Sequence, residues 1–246
     1  MIHKTPLAAL SGAALSVLLA GCAASQGANG ESPPGLSPQT PADNVAPLLP
    51  SALFPGSANA FRAWHCQPAN QHLISADNGQ ALRLWSLHGA WRLPQAVVAS
   101  GARYQDGEIS FWERGETARV ETPRGQLACQ AAGTRPAMTR TENPGVMFKG
   151  EGDAPRWQVT LAHDTPTLTL DIGSQPPARF PYMISVLDNQ AGRVVLESGD
   201  VEPFFRLRID AGACFARGSE APYPARVTLT YQGEQYSGCG QGIAPD

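Results

Sequence analysis

Apolar and polar residues alternate in short runs along most of this chain, with a period of two rather than three or four. Glu108-Ile109-Ser110-Phe111-Trp112 shows the pattern best. As a strand it sends Ile109 and Phe111 to one face and Glu108, Ser110 and Trp112 to the other. Comparable runs occupy 61–66, 82–85, 117–121 and 126–129. Gly79, Gly89, Gly101, Gly107, Gly115 and Gly125 separate them, close to the 8–12-residue rhythm of an all-β sandwich or barrel. Asn78-Gly79 and Asp106-Gly107 are hairpin signals, because both residue types of each pair tolerate positive φ. No stretch has a helical period long enough to cover a sheet, and a small uncovered sheet removes its edges by closing on itself. The expectation for 61–130 is a small antiparallel β-barrel in an all-β chain.

A second β-rich region, 145–246, follows, with alternating runs at 157–161, 168–170, 207–209 and 227–231. It is not a repeat of the first. Between them Ala131-Ala132-Gly133-Thr134-Arg135-Pro136 opens a stretch, 131–144, that reads as a linker. Upstream, 22–60 is rich in Pro, Gly, Ser, Ala, Asn and Gln, the composition of a flexible tether. Within it Leu48-Leu49 and Leu53-Phe54 are the groups able to dock locally.

The N-terminus has the pattern of an export signal: Lys4, an apolar run from Leu7 to Ala20, then Leu19-Ala20-Gly21-Cys22. That last group matches the bacterial lipoprotein cleavage box. The match implies removal of 1–21 and acylation of Cys22, with several chains giving firm anchoring at about 0.8 kcal/mol per buried methylene. Ala23-Ala24, without an aspartate after the cysteine, resembles the pattern sorted to the outer membrane. The simpler alternative is an ordinary secretory signal followed by a chance cysteine.

Four of the five cysteines then remain, Cys66, Cys129, Cys214 and Cys239, in an oxidising compartment. Of their three possible pairings, position favours Cys66–Cys129 and Cys214–Cys239, since each pair brackets a self-contained stretch of β pattern. No CxxC occurs, which disfavours zinc and thiol-redox chemistry. The formal charge of −3 and the absence of a basic run disfavour nucleic acid as a partner.

Cys66, Leu93-Pro94-Gln95, Ser100-Gly101-Ala102-Arg103-Tyr104, Asp106-Gly107, Phe111-Trp112-Glu113-Arg114-Gly115 and Cys129, in that order, resemble the membrane-bound inhibitors of c-type lysozyme, the MliC family. The resemblance implies a small antiparallel barrel with a disulfide, lodging a serine and a basic residue in the lysozyme cleft. Matched motif to motif, those are Ser100 and Arg114, the latter where the family commonly carries lysine. Trp112 and Tyr104 are further contact candidates, or barrel packing. The 145–240 region resembles small bacterial envelope domains of unsettled activity, in which Trp157 and Tyr223 read as packing. Arg206 and Arg208 share a strand face that either meets an acidic surface or, more commonly for such a pair, is simply solvated.

Catalysis, a cofactor and a metal are not expected. His65, His72, His88 and His163 are scattered, and neither a Gly-x-Ser-x-Gly elbow nor a phosphate loop occurs. The competing function is an envelope-maintenance lipoprotein whose barrel binds glycan or another envelope protein.

Overall fold

A computed structural model describes residues 49–200 and 202–243. The signal, Cys22 and most of the tether lie outside the described residues. The alternating runs of the first region become eight antiparallel strands: β1 (Ala60–Gln67), β2 (Gln71–Asp77), β3 (Ala81–Ser86), β4 (Gly89–Ala96), β5 (Ala102–Asp106), β6 (Ile109–Arg114), β7 (Thr117–Thr122) and β8 (Gly125–Pro136). Paired in sequence order, with β8 returning to β1, they form a closed barrel. Its interior holds Trp64, Cys66, Leu73, Leu82, Leu84, Leu93, Tyr104, Phe111, Ala118 and Val120. Phe111 points inward and Trp112 outward, as the period of two requires. Cys66 and Cys129 face each other across the β1–β8 seam and are bonded. The second pair, Cys214–Cys239, is bonded as well.

The second region supplies nine further strands: β9 (Val146–Asp153), β10 (Arg156–Ala162), β11 (Thr167–Ile172), β12 (Ala178–Pro181), β13 (Met183–Asp188), β14 (Arg193–Glu197), β15 (Phe205–Phe215), β16 (Pro222–Tyr231) and β17 (Glu234–Gly242). Their order in the sheet is β12-β11-β10-β9-β17-β16-β15-β14-β13. The sheet's two edge strands, β12 and β13, are joined by Tyr182 alone, so it curls almost into a second barrel. Trp157, Val159, Leu161, Leu168, Leu207, Ile209, Val227 and Leu229 fill its core.

Two expectations from composition need correction. Residues 131–136, expected as linker, are the second half of β8 and pair with β1. Apart from Arg135 their side chains are small and mostly exposed, so backbone hydrogen bonding holds the strand where no apolar pattern marks it. The tether, expected to reach residue 60, ends earlier. Leu53, in a 3-10 turn at Ser51–Leu53, is fully buried in the core of the nine-stranded sheet. The two sheets also share a third apolar cluster, in which the outer faces of β1, β2 and β3 (Phe61, Ile74, Ala76, Trp85) meet Ala213 and Phe215 of β15. Arg135 spans the same junction. It donates from Nε to the Pro222 carbonyl at 2.8 Å and from Nη2 to Gln241 Oε1 at 2.7 Å, and lies 3.9 Å from the Tyr223 ring.

Candidate functional site

The β4–β5 loop and the β6–β7 turn stand at the same rim of the barrel. β4 and β5 pair through only two positions, Gln95↔Tyr104 and Ala96↔Arg103, so the connecting loop 97–101 leaves the wall. It exposes Ser100 and the fully solvent-facing Val97. Gly101 closes the loop with φ +72°, and a Cβ there would run into the Glu113 carbonyl. This close approach seats the loop on the end of β6. The neighbouring turn has Gly115 at φ +63° in the first position of a two-residue hairpin, which leaves Arg114 exposed at its base.

Trp112 joins the two. Its indole N–H donates to the Ser100 carbonyl at 3.1 Å, and its ring carries the Arg114 guanidinium at 3.8 Å. The serine hydroxyl and the cation therefore share one exposed lip, clear of the junction with the nine-stranded sheet. The barrel's sequence carries the corresponding relationship: residues 64–128 match the family "Membrane-bound lysozyme-inhibitor of c-type lysozyme", MliC.

This region is MliC-like.

The match runs from β1 into β8 and includes nothing of the nine-stranded sheet. No curated protein matches the chain.

Carboxylates surround the lip of the MliC-like barrel, but other arginines occupy them. Glu113 and Glu116 flank Arg114 in sequence, and both bond to Arg62, at 2.6 and 2.7 Å. Arg62 itself lies over Trp64 at the barrel mouth, 4.8 Å from the ring. Glu121 is held by Arg103 at 3.5 Å and by the Ser110 hydroxyl at 3.2 Å. Among the described residues, Arg114 has no acidic partner. Its charge is oriented by an aromatic face and open to an acid from outside.

Tyr104 is not part of the lip. It is 1% exposed, faces the interior opposite Phe111, and serves packing. Burial, then a bond to Asp77, pushes its phenol well above the ordinary range. The signal was in the hairpin itself, since the Asp106-Gly107 turn pairs Tyr104 with the inward Phe111 and Arg103 with the outward Trp112. Sequence reasoning missed Arg62, Val97 and Arg119. Of these, Val97-Val98 carried a mark, an apolar pair in a loop.

The other candidates resolve in place. Arg206 and Arg208 are exposed, as on a solvated face, and each is paired within the sheet, with Glu197 at 3.1 Å and Asp210 at 2.6 Å. Trp157 and Tyr223 are buried. His65 and His72, separated in sequence, meet across β1 and β2 with ring centroids 4.4 Å apart. Among the described residues no cluster of three His, Cys, Asp or Glu side chains can hold a metal ion, and no helix is long and apolar enough to cross a membrane.

Proposed function

We propose that this chain is an envelope lipoprotein, anchored through Cys22 at the outer membrane, that inhibits c-type lysozyme by inserting Ser100 and Arg114 into the enzyme's acidic cleft. The observation that carries the reading is the shared lip: Trp112 holds the backbone of exposed Ser100 and stacks under Arg114, which has no acidic partner among the described residues, on the barrel matching the MliC family.

A lysozyme cleaves with one carboxyl of raised pKa and a second, ionised carboxylate flanking the sugar bond. A guanidinium placed between them favours ionisation of both, which removes the general acid, and the plug occupies the substrate's place. Charge-assisted bonds from a guanidinium are among the stronger hydrogen bonds, and its planar fork grips a carboxylate through two of them. The serine hydroxyl donates to one acceptor and accepts from another. Val97, exposed on the same loop, adds apolar contact. Occlusion of this kind requires no turnover.

The test is a lysis assay with a c-type lysozyme and the whole protein, beside Ser100→Ala and Arg114→Ala. Inhibition by the parent, weakened by both changes, is expected. Undiminished lysis at an excess of the parent overturns the reading. Arg114→Lys reports on the fork: weaker inhibition means two bonds are in use. For the anchor, Cys22→Ala is expected to move the protein out of the membrane fraction, and an unchanged distribution argues against acylation.

A further inference from the structure

Seven arginines and six carboxylates lie within 61–130, a formal charge of +1, so the acidic balance of the chain lies elsewhere. The distribution around Trp112 is more telling than the sum. Three arginines surround that ring on the outer face of β5, β6 and β7. Arg103 stands opposite Trp112 from β5, Arg119 stands opposite it from β7, and Arg114 stacks on it. Arg103 takes Glu121, while Arg62 takes the two nearest remaining carboxylates. Arg114 and Arg119 are left as an exposed pair without an acidic partner among the described residues, lining one shallow groove with Trp112, Thr117 and Ala118.

We infer that this groove is a second carboxylate-binding subsite, in which Arg119 grips an acidic side chain on the rim of the lysozyme cleft while Arg114 enters the cleft itself. The inference rests on the inhibitor reading above and extends it to a residue outside the family's two-residue plug. Two like charges on one face repel, and local carboxylates are diverted from both, so the pair is arranged to receive negative charge from outside. The groove sets the Trp112 indole beside two exposed guanidinium groups, which suits a planar carboxylate held against a guanidinium fork. Because β6 and β7 are hydrogen-bonded neighbours, Arg119 sits at a fixed distance from Arg114. The enzyme must therefore present its rim acid at a matching distance from its catalytic pair, which makes Arg119 a specificity determinant.

The experiment measures inhibition of one c-type lysozyme by the whole protein at low and at moderate salt. The variants are Arg119→Ala, Arg119→Lys, Arg119→Glu and, as control, Arg124→Ala in the turn at the opposite barrel end. Arg119→Ala is expected to weaken inhibition about tenfold, with a shallower salt dependence. Arg119→Glu should weaken it further, and Arg119→Lys should recover part of the loss. Arg124→Ala should match the parent. A parent that inhibits while Arg119→Ala stays within twofold of it overturns this inference and leaves the two-residue plug standing. Equal losses in Arg119→Ala and Arg124→Ala also overturn it, because they reduce the effect to net charge. A parent that does not inhibit removes both readings.

Discussion

The Trp112 indole N–H holds the Ser100 carbonyl at 3.1 Å, a bond across twelve residues that fixes the loop to the strand end beside it. Trp112→Phe keeps a ring for Arg114 to stack on and removes this donor alone. A single hydrogen bond contributes about 0.5–1.5 kcal/mol, so inhibition should fall by roughly two- to tenfold. Trp112→Ala should fall further, since a stacked guanidinium adds about 0.5–1 kcal/mol at an exposed site. Equal inhibition by parent and Trp112→Phe, with thermal stability unchanged, would show that the loop is held by Gly101 packing instead.

Arg62 makes a prediction of different form, because its effect on Arg114 is indirect. Arg62→Met keeps an apolar stem over Trp64 and releases Glu113 and Glu116, either of which can then pair with Arg114. An exposed ion pair is worth about 0.2–1 kcal/mol, which sets the expected loss of inhibition at up to about fivefold. Changing Glu113 and Glu116 to Gln in the same protein removes the competitors and should restore inhibition. A loss that persists in the triple variant would mean that Arg62 supports the barrel mouth rather than keeping the cation available.

Two carboxyl groups give opposite pH dependences. Burial lifts Glu113 above the ordinary carboxylate value, against the opposing effect of Arg62, while Asp77 and Glu116 add to the lift. Its contribution to stability is fully present below the unfolded-state pKa and is lost as pH rises through the folded one. Asp210 is the reverse. Burial would raise it, but the bonds from Arg208 and Arg193 outweigh that and hold it below the ordinary value. Its contribution is present above the unfolded pKa and lost as pH falls through the folded one. Urea unfolding across the acidic range should show Glu113→Gln removing the first dependence and Asp210→Asn the second. A slope unchanged in either variant contradicts the corresponding assignment.

The barrel was legible because its signals are local: turn glycines, two hairpin dipeptides and the alternation around Phe111. Both disulfides followed from position for the same reason. The lip was legible only as two motifs. Their meeting depends on the close packing of Gly101 against Glu113, a contact between segments that alternation does not report. Least legible was the shared cluster at the junction. Leu82-Arg83-Leu84-Trp85 reads as a strand with one wet face, yet Trp85 is buried on the outside of the barrel and its Nε1 donates to the Ala52 carbonyl at 2.8 Å. A strand buried on both faces needs neighbours, and those supplied by β15, Ala213 and Phe215, lie more than a hundred residues away.

That junction bears on whether the barrel stands alone. Phe61, Ile74 and Trp85 are each fully buried, on the face where β15 supplies Ala213 and Phe215. Fully burying such a side chain is worth about 1.5–3 kcal/mol. Exposing even part of three of them takes several kcal/mol from a small domain whose whole stability is about 5–15 kcal/mol. Residues 60–136 expressed alone should therefore unfold at markedly lower urea than the intact protein and should associate through that face, despite the Cys66–Cys129 bond. Arg135→Ala in the full chain should show a milder form of the same defect, because it leaves the buried Gln241 amide oxygen without its donor. A monomeric isolated barrel with the unfolding midpoint of the whole protein would mean that the second sheet adds nothing to the first, and would remove the reason to assay inhibition only in the full chain.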